Sequence, residues 1–362
     1  MNSPLADTLF KRVRSVRMRR DLAFLIGLML VIMLLAAVFQ GDSYIMHILI
    51  MSLIYSGIVV GWDLMMGYAG IFTFGQIAIF VVGAYAAGML AKILGIDPWL
   101  AVLLGGLGAA FVGLIIGIPC LRLRGVYVAL VTFAFHLVLV PLIKLGGPIG
   151  TGGAMYLRGI PPITIGDYTF TVGDKIPWFF LLLGVCAVLY FLNYKIIHSK
   201  LGLSFTALRD SEPLAKGLGV NDYKTSLLVF TFASFITGIM GGFYIQYVGV
   251  ISTRILAMDT FLLIMVMLIV GGIGRFPGAV IGAFAVTFLS FYLRPLEHYR
   301  LLIFGLMVLL AVVFVPGGLM GLIDAISPKI RPALARARDY INKKRGKVPE
   351  KEVLESKEEE PG

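Results

Sequence analysis

The chain has 362 residues, of which 59% are hydrophobic and 14% charged, against roughly a quarter charged in ordinary soluble domains. That balance excludes a soluble enzyme, a disordered protein and a disulfide-stabilised secreted scaffold, and the long continuous apolar runs exclude an outer-membrane barrel, whose strands are short and alternate. The net charge of +11 comes from basic residues at the two ends and between apolar runs, the pattern of cytoplasmic loops in a membrane protein and not of a nucleic-acid-binding surface. The expected fold is an all-α polytopic membrane protein set in a lipid bilayer.

Residues 1–21 form a basic segment with Lys11, Arg12, Arg14, Arg17, Arg19 and Arg20, followed by an apolar run from Leu22 to Phe39. The run is long for a signal-peptide core and no A-x-A site closes it. It is read as an uncleaved first transmembrane helix with a cytoplasmic N-terminus. Further spans are predicted near 44–62, 67–91, 98–119, 126–144, 178–194, 225–248, 258–274, 278–293 and 300–316, about ten in all. This order puts Arg122, Arg124, Lys195, Lys200, Arg209, Lys216 and Lys224 inside, and Arg158, Lys175, Arg254, Arg294 and Arg300 outside. The resulting organisation is a transmembrane domain over 22–316, a cytoplasmic loop over 195–224, and a charged cytoplasmic tail over 317–362 whose acidic end is expected to be disordered.

Two segments differ from plain spans. The 67–91 stretch is glycine-rich and carries Thr73 and Gln76, and 271–282 reads GGIGRFPGAVIG. The pattern leaves open whether 67–91 and 271–293 are continuous or broken helices. Irregular backbone at membrane depth is tolerated only where protein or a water-filled cavity satisfies it, so such segments point to a transport path. The pairs Gly57/Gly61, Gly83/Ala87, Gly113/Gly117, Gly238/Gly242 and the run Gly274/Gly278/Gly282 have the spacing that lets helix backbones approach closely. With span 1 set aside, spans 2–5 and 7–10 suggest an inverted repeat of two four- to five-helix halves.

Catalytic chemistry is not expected. The nearest approach to a phosphate loop, Gly219 to Thr225, has Tyr223 where the second glycine is needed. No HExxH, GxSxG or paired Cys/His pattern occurs. Cys120 and Cys186 read as packing residues, and His47, His136, His198 and His298 are scattered. No catalytic residue, metal or cofactor is therefore assigned to the chain. His47 and His136 are the obvious mid-span titratable groups, either core hydrogen-bonding residues or proton carriers. Asp63, Lys92, Lys144 and Asp259 lie near span ends, where a side chain reaches water cheaply. This scarcity argues against an ion-coupled secondary carrier.

The 201–228 segment is the most informative. Arg209-Asp210-Ser211-Glu212-Pro213 reads as a helix start, with Asp210 or Ser211 as cap and Pro213 in the first turn. Leu214, Ala215 and Leu218 share a short apolar face, and Gly219 stops the helix. The segment is either an ordinary amphipathic loop helix or a docking helix for a cytoplasmic motor.

Four stretches carry a family resemblance: GYAGIFTFGQ at 67–76 running on to Gly83-Ala84-Tyr85; LRGVYVALVT at 123–132 with Thr151-Gly152-Gly153; ALRDSE at 207–212 with Ala215, Gly219 and Asn221; and GGIGRFPG at 271–278 with Gly282. The chain resembles the permease subunit of high-affinity branched-chain amino-acid ABC transporters, the Liv type, over roughly residues 45–316. The resemblance implies a type II importer-like permease of the bacterial inner membrane. It implies a heterodimer with a second homologous permease, two ATP-binding subunits that hold ATP-Mg, and a periplasmic solute-binding protein that delivers leucine, isoleucine or valine. Coupling to the ATPase would run through Arg209, Asp210, Ser211, Glu212, Leu214, Leu218 and Gly219. Thr73, Gln76, Tyr127 and Thr132 are candidate polar groups along the substrate path, and Gly67, Gly70, Gly75, Gly271, Gly272, Gly274 and Gly278 form its flexible segments. Thr73 stands where the family usually has Ser, and Ala154-Met155-Tyr156 replace a more polar run. The second departure leaves a urea or short-chain amide permease as the alternative.

Overall fold

The sequence supplies helix starts in the form of capping side chains, and a computed structural model shows them in use. It describes residues 4–123, 125–314 and 317–322, without the side chains of residues 4–20, 297, 298, 300 and 301. Arg124, the acidic tail, and the side chains of the N-terminal basic cluster, His298 and Arg300 thus lie outside the described residues.

Twelve α-helices run through the described chain. They are α1 (Pro4–Phe39), α2 (Ser43–Asp63), α3 (Gln76–Ile93), α4 (Pro98–Cys120), α5 (Val126–Leu145), α6 (Lys175–Ile197), α7 (Lys200–Asp210), α8 (Glu212–Gly217), α9 (Asp222–Val248), α10 (Met258–Gly271), α11 (Gly278–Tyr292) and α12 (Arg300–Phe314). Asp42 caps α2 by accepting from the amides of Tyr44 and Ile45, and Asp97 caps α4, with Pro98 in its first turn. Asn221 caps α9, which ends where Gly249 takes a left-handed φ of +74°. Each cap satisfies amides that a helix start otherwise leaves unpaired.

Eight helical stretches are long and apolar enough to cross a bilayer. Helices α10 and α11, with 14 and 15 residues, are too short to span about 30 Å of hydrocarbon at 1.5 Å per residue. They complete the ten predicted spans as shortened pieces on either side of an irregular 272–277 connection. The other open segment is also broken. Helix α2 passes into a π-helical turn, Leu64–Tyr68, and the chain stays irregular until α3 begins at Gln76. The predicted 67–91 span is thus α3 preceded by a non-helical lead-in. Helix α1 begins at Pro4, so the basic segment and the first span form one helix without a break.

Packing is reciprocal between two helix sets, α2–α5 and α9–α12. Helix α9 lies against α3 and α4, while α2 lies against α11 and, more lightly, α10. Within the sets, α3 packs on α4 as α10 packs on α11. The first helix of each set is therefore received by the other, which fits two related halves. Small residues permit the approach: a Cβ on Gly83 would come within 2.5 Å of the Gly238 Cα, and one on Gly241 would strike the Phe80 carbonyl.

The long 145–177 connection folds on itself. Strand β1 (Leu157–Arg158) pairs antiparallel with β4 (Val250–Ile251), and β2 (Thr164–Ile165) with β3 (Tyr168–Thr169). The indole N–H groups of Trp99 and Trp178 donate to the carbonyls of Thr164 and Thr171, each at 3.0 Å, and fasten this cap to α4 and α6. The cap closes the end of the bundle opposite α7 and α8.

Candidate functional site

At the α7–α8 end, the two broken segments meet. Asp63, the last residue of α2, is 2% exposed and its Oδ1 accepts from the Gly274 amide at 2.7 Å. The Tyr68 hydroxyl accepts from the Phe276 amide at 2.9 Å. A Cβ on Gly67 would collide with the Gly274 backbone, and one on Gly274 would come within 2.7 Å of the Gly67 carbonyl. Gly271 lies equally close to Gly278, and Gly272 to Gly317 and Gly318. Only glycine allows backbones this near, and Gly70, Gly272 and Gly274 also have positive φ. The expectation that Asp63 reaches water from a span end is corrected here: its short side chain ends inside the seam, where a backbone N–H satisfies it.

Arg209 joins this seam to α7. Its Nη1 donates to the Gly67 carbonyl at 2.6 Å, and its Nε and Nη2 lie 2.9 Å from Asp210 Oδ1. The Arg209 stem rests on Gly70, where a Cβ would come within 2.8 Å of it. One guanidinium therefore bridges the cross-bundle helix and the irregular backbone of the first half.

The short helix predicted after Asp210 is present as α8, and a second helix, α7, which the sequence reading did not anticipate, precedes it. Ser199 caps α7 by accepting from the Leu201 and Gly202 amides, and Phe205, 1% exposed, anchors it. Helix α7 ends at Asp210: Ser211 is extended, and Pro213 has no N–H to donate to the Arg209 carbonyl and continue the ladder. Ser211, at φ −159°, is extended and makes no side-chain cap bond to α8. Helix α8 buries Ala215 and leaves Leu214, with Leu218 just past its end, at 65% and 76% exposure. Glu212 pairs with Lys216 at 2.7 Å, and Lys216 with Asp222 at 2.6 Å. Hydrogen bonds from Lys216 to Asp222 foremost, and to Glu212, hold its ammonium above the usual lysine range. Gly219 follows with φ +85°.

The four candidate path groups divide. Thr73, Gln76 and Thr132 are fully buried and bonded within the protein, whereas Tyr127 is 67% exposed on α5. Thr132 donates to carbonyls of its own helix and accepts from the Phe74 amide at 3.0 Å. Gln76 donates to the Thr237 hydroxyl, and the Gly75 amide donates to Thr73 at 3.3 Å. Thr132 and Gln76 fasten the first broken segment to α5 and α9, and Thr73 braces it internally and to Trp62 of α2; none of the three lines the two cavities at the opposite end of the bundle. Gln76 Oε1 has no partner among the described residues.

Open space lies at the opposite end. Two adjoining cavities of about 670 and 290 Å³ share Tyr55, Tyr244, Val248 and Thr260. The larger reaches the cap at Tyr156, Arg158, Ser252 and Arg254. The smaller is enclosed by α2, α9, α10 and α11 and carries His47, Asp259, Ser290 and Arg294 with Met51, Leu263 and Phe291. His47 Nδ1 is 2.6 Å from the Tyr247 hydroxyl, and His136 Nε2 is 3.0 Å from the Leu256 carbonyl. Both histidines thus make core hydrogen bonds. Sequence reasoning missed this cavity: the one available signal, opposite charges at the ends of neighbouring spans in Asp259 and Arg294, is weak until the fold brings the span ends together.

The family model for the branched-chain amino acid transport system permease component matches residues 44–312. The high-affinity branched-chain amino acid transport system permease protein LivM of Escherichia coli (strain K12) is 25% identical over 332 residues, covering 85% of this chain and 76% of that protein. LivM of Salmonella typhimurium is 25% identical over 306 residues, covering 78% of this chain and 70% of that one. The corresponding LivH protein of Escherichia coli (strain K12) is 25% identical over 290 residues, covering 74% of this chain and 91% of that one. No solved structure matches.

Proposed function

The chain belongs to the family of branched-chain amino acid transport permease components, and from that premise we propose that it is the membrane-spanning subunit of an ATP-driven importer of leucine, isoleucine and valine in a bacterial inner membrane. The observation that carries the reading is similarity to both LivM and LivH, over 85% and 74% of the chain respectively. Two related permease types favour a heterodimer of this chain with a second permease. A solute-binding protein would deliver cargo to the cap end, and two ATP-binding subunits would dock at the α7–α8 end, with ATP-Mg held by them. The α7–α8 end is then cytoplasmic, as are both chain termini.

The geometry supports a mechanism. The cavities open at the delivery end, and the glycine seam closes the other. Leu214 and Leu218 offer α8 an exposed apolar face for the motor. Movement of the motor displaces α7 and α8 as a capped unit, and Arg209 transmits it to Gly67. Strain there opens the Asp63–Gly274 and Tyr68–Phe276 bonds, which together hold the two halves shut. The groups of the seam are backbone, the Tyr68 hydroxyl, the Asp63 carboxylate and the Arg209 guanidinium, so the solute meets few fixed charges once it passes inward.

Labelled-leucine uptake by cells with and without the gene tests the reading, with unlabelled isoleucine, valine or urea as competitors. Loss of leucine uptake on deletion, with competition by isoleucine and valine, is expected. Retained leucine uptake with loss of urea or amide uptake reassigns the cargo to that alternative.

A further inference from the structure

The smaller cavity carries opposite charges on two different elements. Asp259 stands in the first turn of α10, and Arg294 follows the end of α11. Asp259 Oδ1 accepts from the Thr260 amide at 2.8 Å, and its second oxygen has no partner among the described residues. Arg294 lies over the Phe291 ring, 5.2 Å from its centroid, and neither charge joins an ion pair among the described residues. Met51 and Leu263, both buried, and Phe291 make an apolar wall between them. Asp259 is half-buried and Arg294 exposed at the cap end, so both charges are held at the cavity at modest cost and can meet a ligand that carries their opposites.

We propose that this cavity is a subsite for an aliphatic α-amino acid in its zwitterionic form: Asp259 receives the α-ammonium, Arg294 the α-carboxylate, and Met51, Leu263 and Phe291 the side chain. The inference rests on the permease reading above and adds the recognition chemistry. Its volume of about 290 Å³ is at the lower edge of small-molecule sites, which suits one small metabolite. The guanidinium fork matches a carboxylate in two parallel hydrogen bonds, and both pairings are charge-assisted. Urea and short amides neutralise neither charge, so filling the cavity with them leaves both uncompensated. The larger adjoining cavity, which opens toward the cap, supplies the approach.

Saturation-transfer NMR on the full chain in lipid nanodiscs tests this with four probes: L-leucine, L-leucinamide, 4-methylpentanoate and urea. The native chain is expected to saturate the leucine methyls at least tenfold more than those of either analogue, and to leave urea unlabelled. Arg294→Gln is expected to bring leucine down to the leucinamide level while leaving leucinamide unchanged. Asp259→Asn, which keeps an oxygen to accept from the Thr260 amide, is expected to bring leucine down to the 4-methylpentanoate level while leaving that acid unchanged. Leucine binding unaltered in both folded variants overturns the subsite, as does a native chain that treats leucine and its two analogues alike. The analogue comparison decides the matter even if a variant fails to fold. Loss of leucine uptake on gene deletion, combined with either of those results, leaves the permease standing without this subsite. A native chain that binds urea and not leucine overturns both.

Discussion

Arg209 binds in two directions at once, and the sequence displays only one of them. Its neighbour Asp210 is adjacent in the chain, but the Gly67 carbonyl lies 142 positions away. The ALRDSE motif was enough to nominate Arg209 for coupling, yet not to show what it holds. Charge-assisted hydrogen bonds contribute about 1.5–3 kcal/mol. Arg209→Ala is expected to cut leucine uptake at least tenfold with the protein still inserted. Arg209→Lys, which has a point charge in place of a fork, should recover only part of it; uptake equal to native in both variants would remove the residue from the coupling path. Asp63 was legible as a residue and not as a role, because its position at a span end looked solvated until the 272–277 backbone closed over it. Asp63→Asn retains the oxygen that Gly274 needs and is expected to stay near native in melting temperature. Asp63→Leu leaves a buried N–H unpaired, a loss of about 1–3 kcal/mol, and should melt measurably lower. Equal melting of the two variants would mean that the carboxylate's charge or packing, and not its hydrogen bond, holds the seam.

At the scale of elements, glycine spacing was the most readable signal. Gly83 and Gly238 were named from their four-residue patterns alone, and they meet where α3, α4 and α9 converge. A methyl group on Gly83 would press on backbone atoms of Gly238, which cannot rotate away. Gly83→Ala is expected to destabilise the solubilised protein by about 1–3 kcal/mol. Gly184 on α6 has open space at its Cβ position, so Gly184→Ala should match or exceed native stability, by up to about 1 kcal/mol from helix propensity. Thermal unfolding in one detergent separates them, and a Gly83→Ala protein as stable as native would show that the three helices can part without cost. The breaks at 69–75 and 272–277 were visible as glycine-rich stretches, but their ends were not, since glycine marks permission to leave a helix and tertiary contacts decide where that happens. Helix α7 was missed although Leu201, Phe205 and Leu208 recur at helical spacing; the Ser199 cap and the burial of Phe205 fix it in place. Two-residue strands such as β1 and β4 leave no periodic trace at all.

The two adjoining cavities and the glycine seam lie at opposite ends of the molecule, with the reciprocal packing of α2 and α9 between them. About ten spans, a suggested pair of related halves and a basic loop between α6 and α9 were legible from hydropathy and charge. The cavity was not, because its walls come from α2, α9, α10 and α11, which composition cannot bring together. In the proposed importer, force must cross this molecule from α8 to the seam. A surface built for that purpose can be altered without disturbing the fold, and α8 meets the condition. Leu214 and Leu218 are largely exposed, while Ala215 and the Glu212–Lys216–Asp222 ion pairs hold the helix in place. Leu214→Ser with Leu218→Ser is therefore expected to leave insertion and melting unchanged and to abolish leucine uptake. ATPase activity of the assembled complex should lose its response to loaded binding protein. Glu212→Arg is the less clean variant, since it sets a positive charge against Lys216 and loosens α8 itself. If the double serine variant imports leucine at the native rate, the motor grips some other part of the chain and Arg209 holds the seam for stability alone.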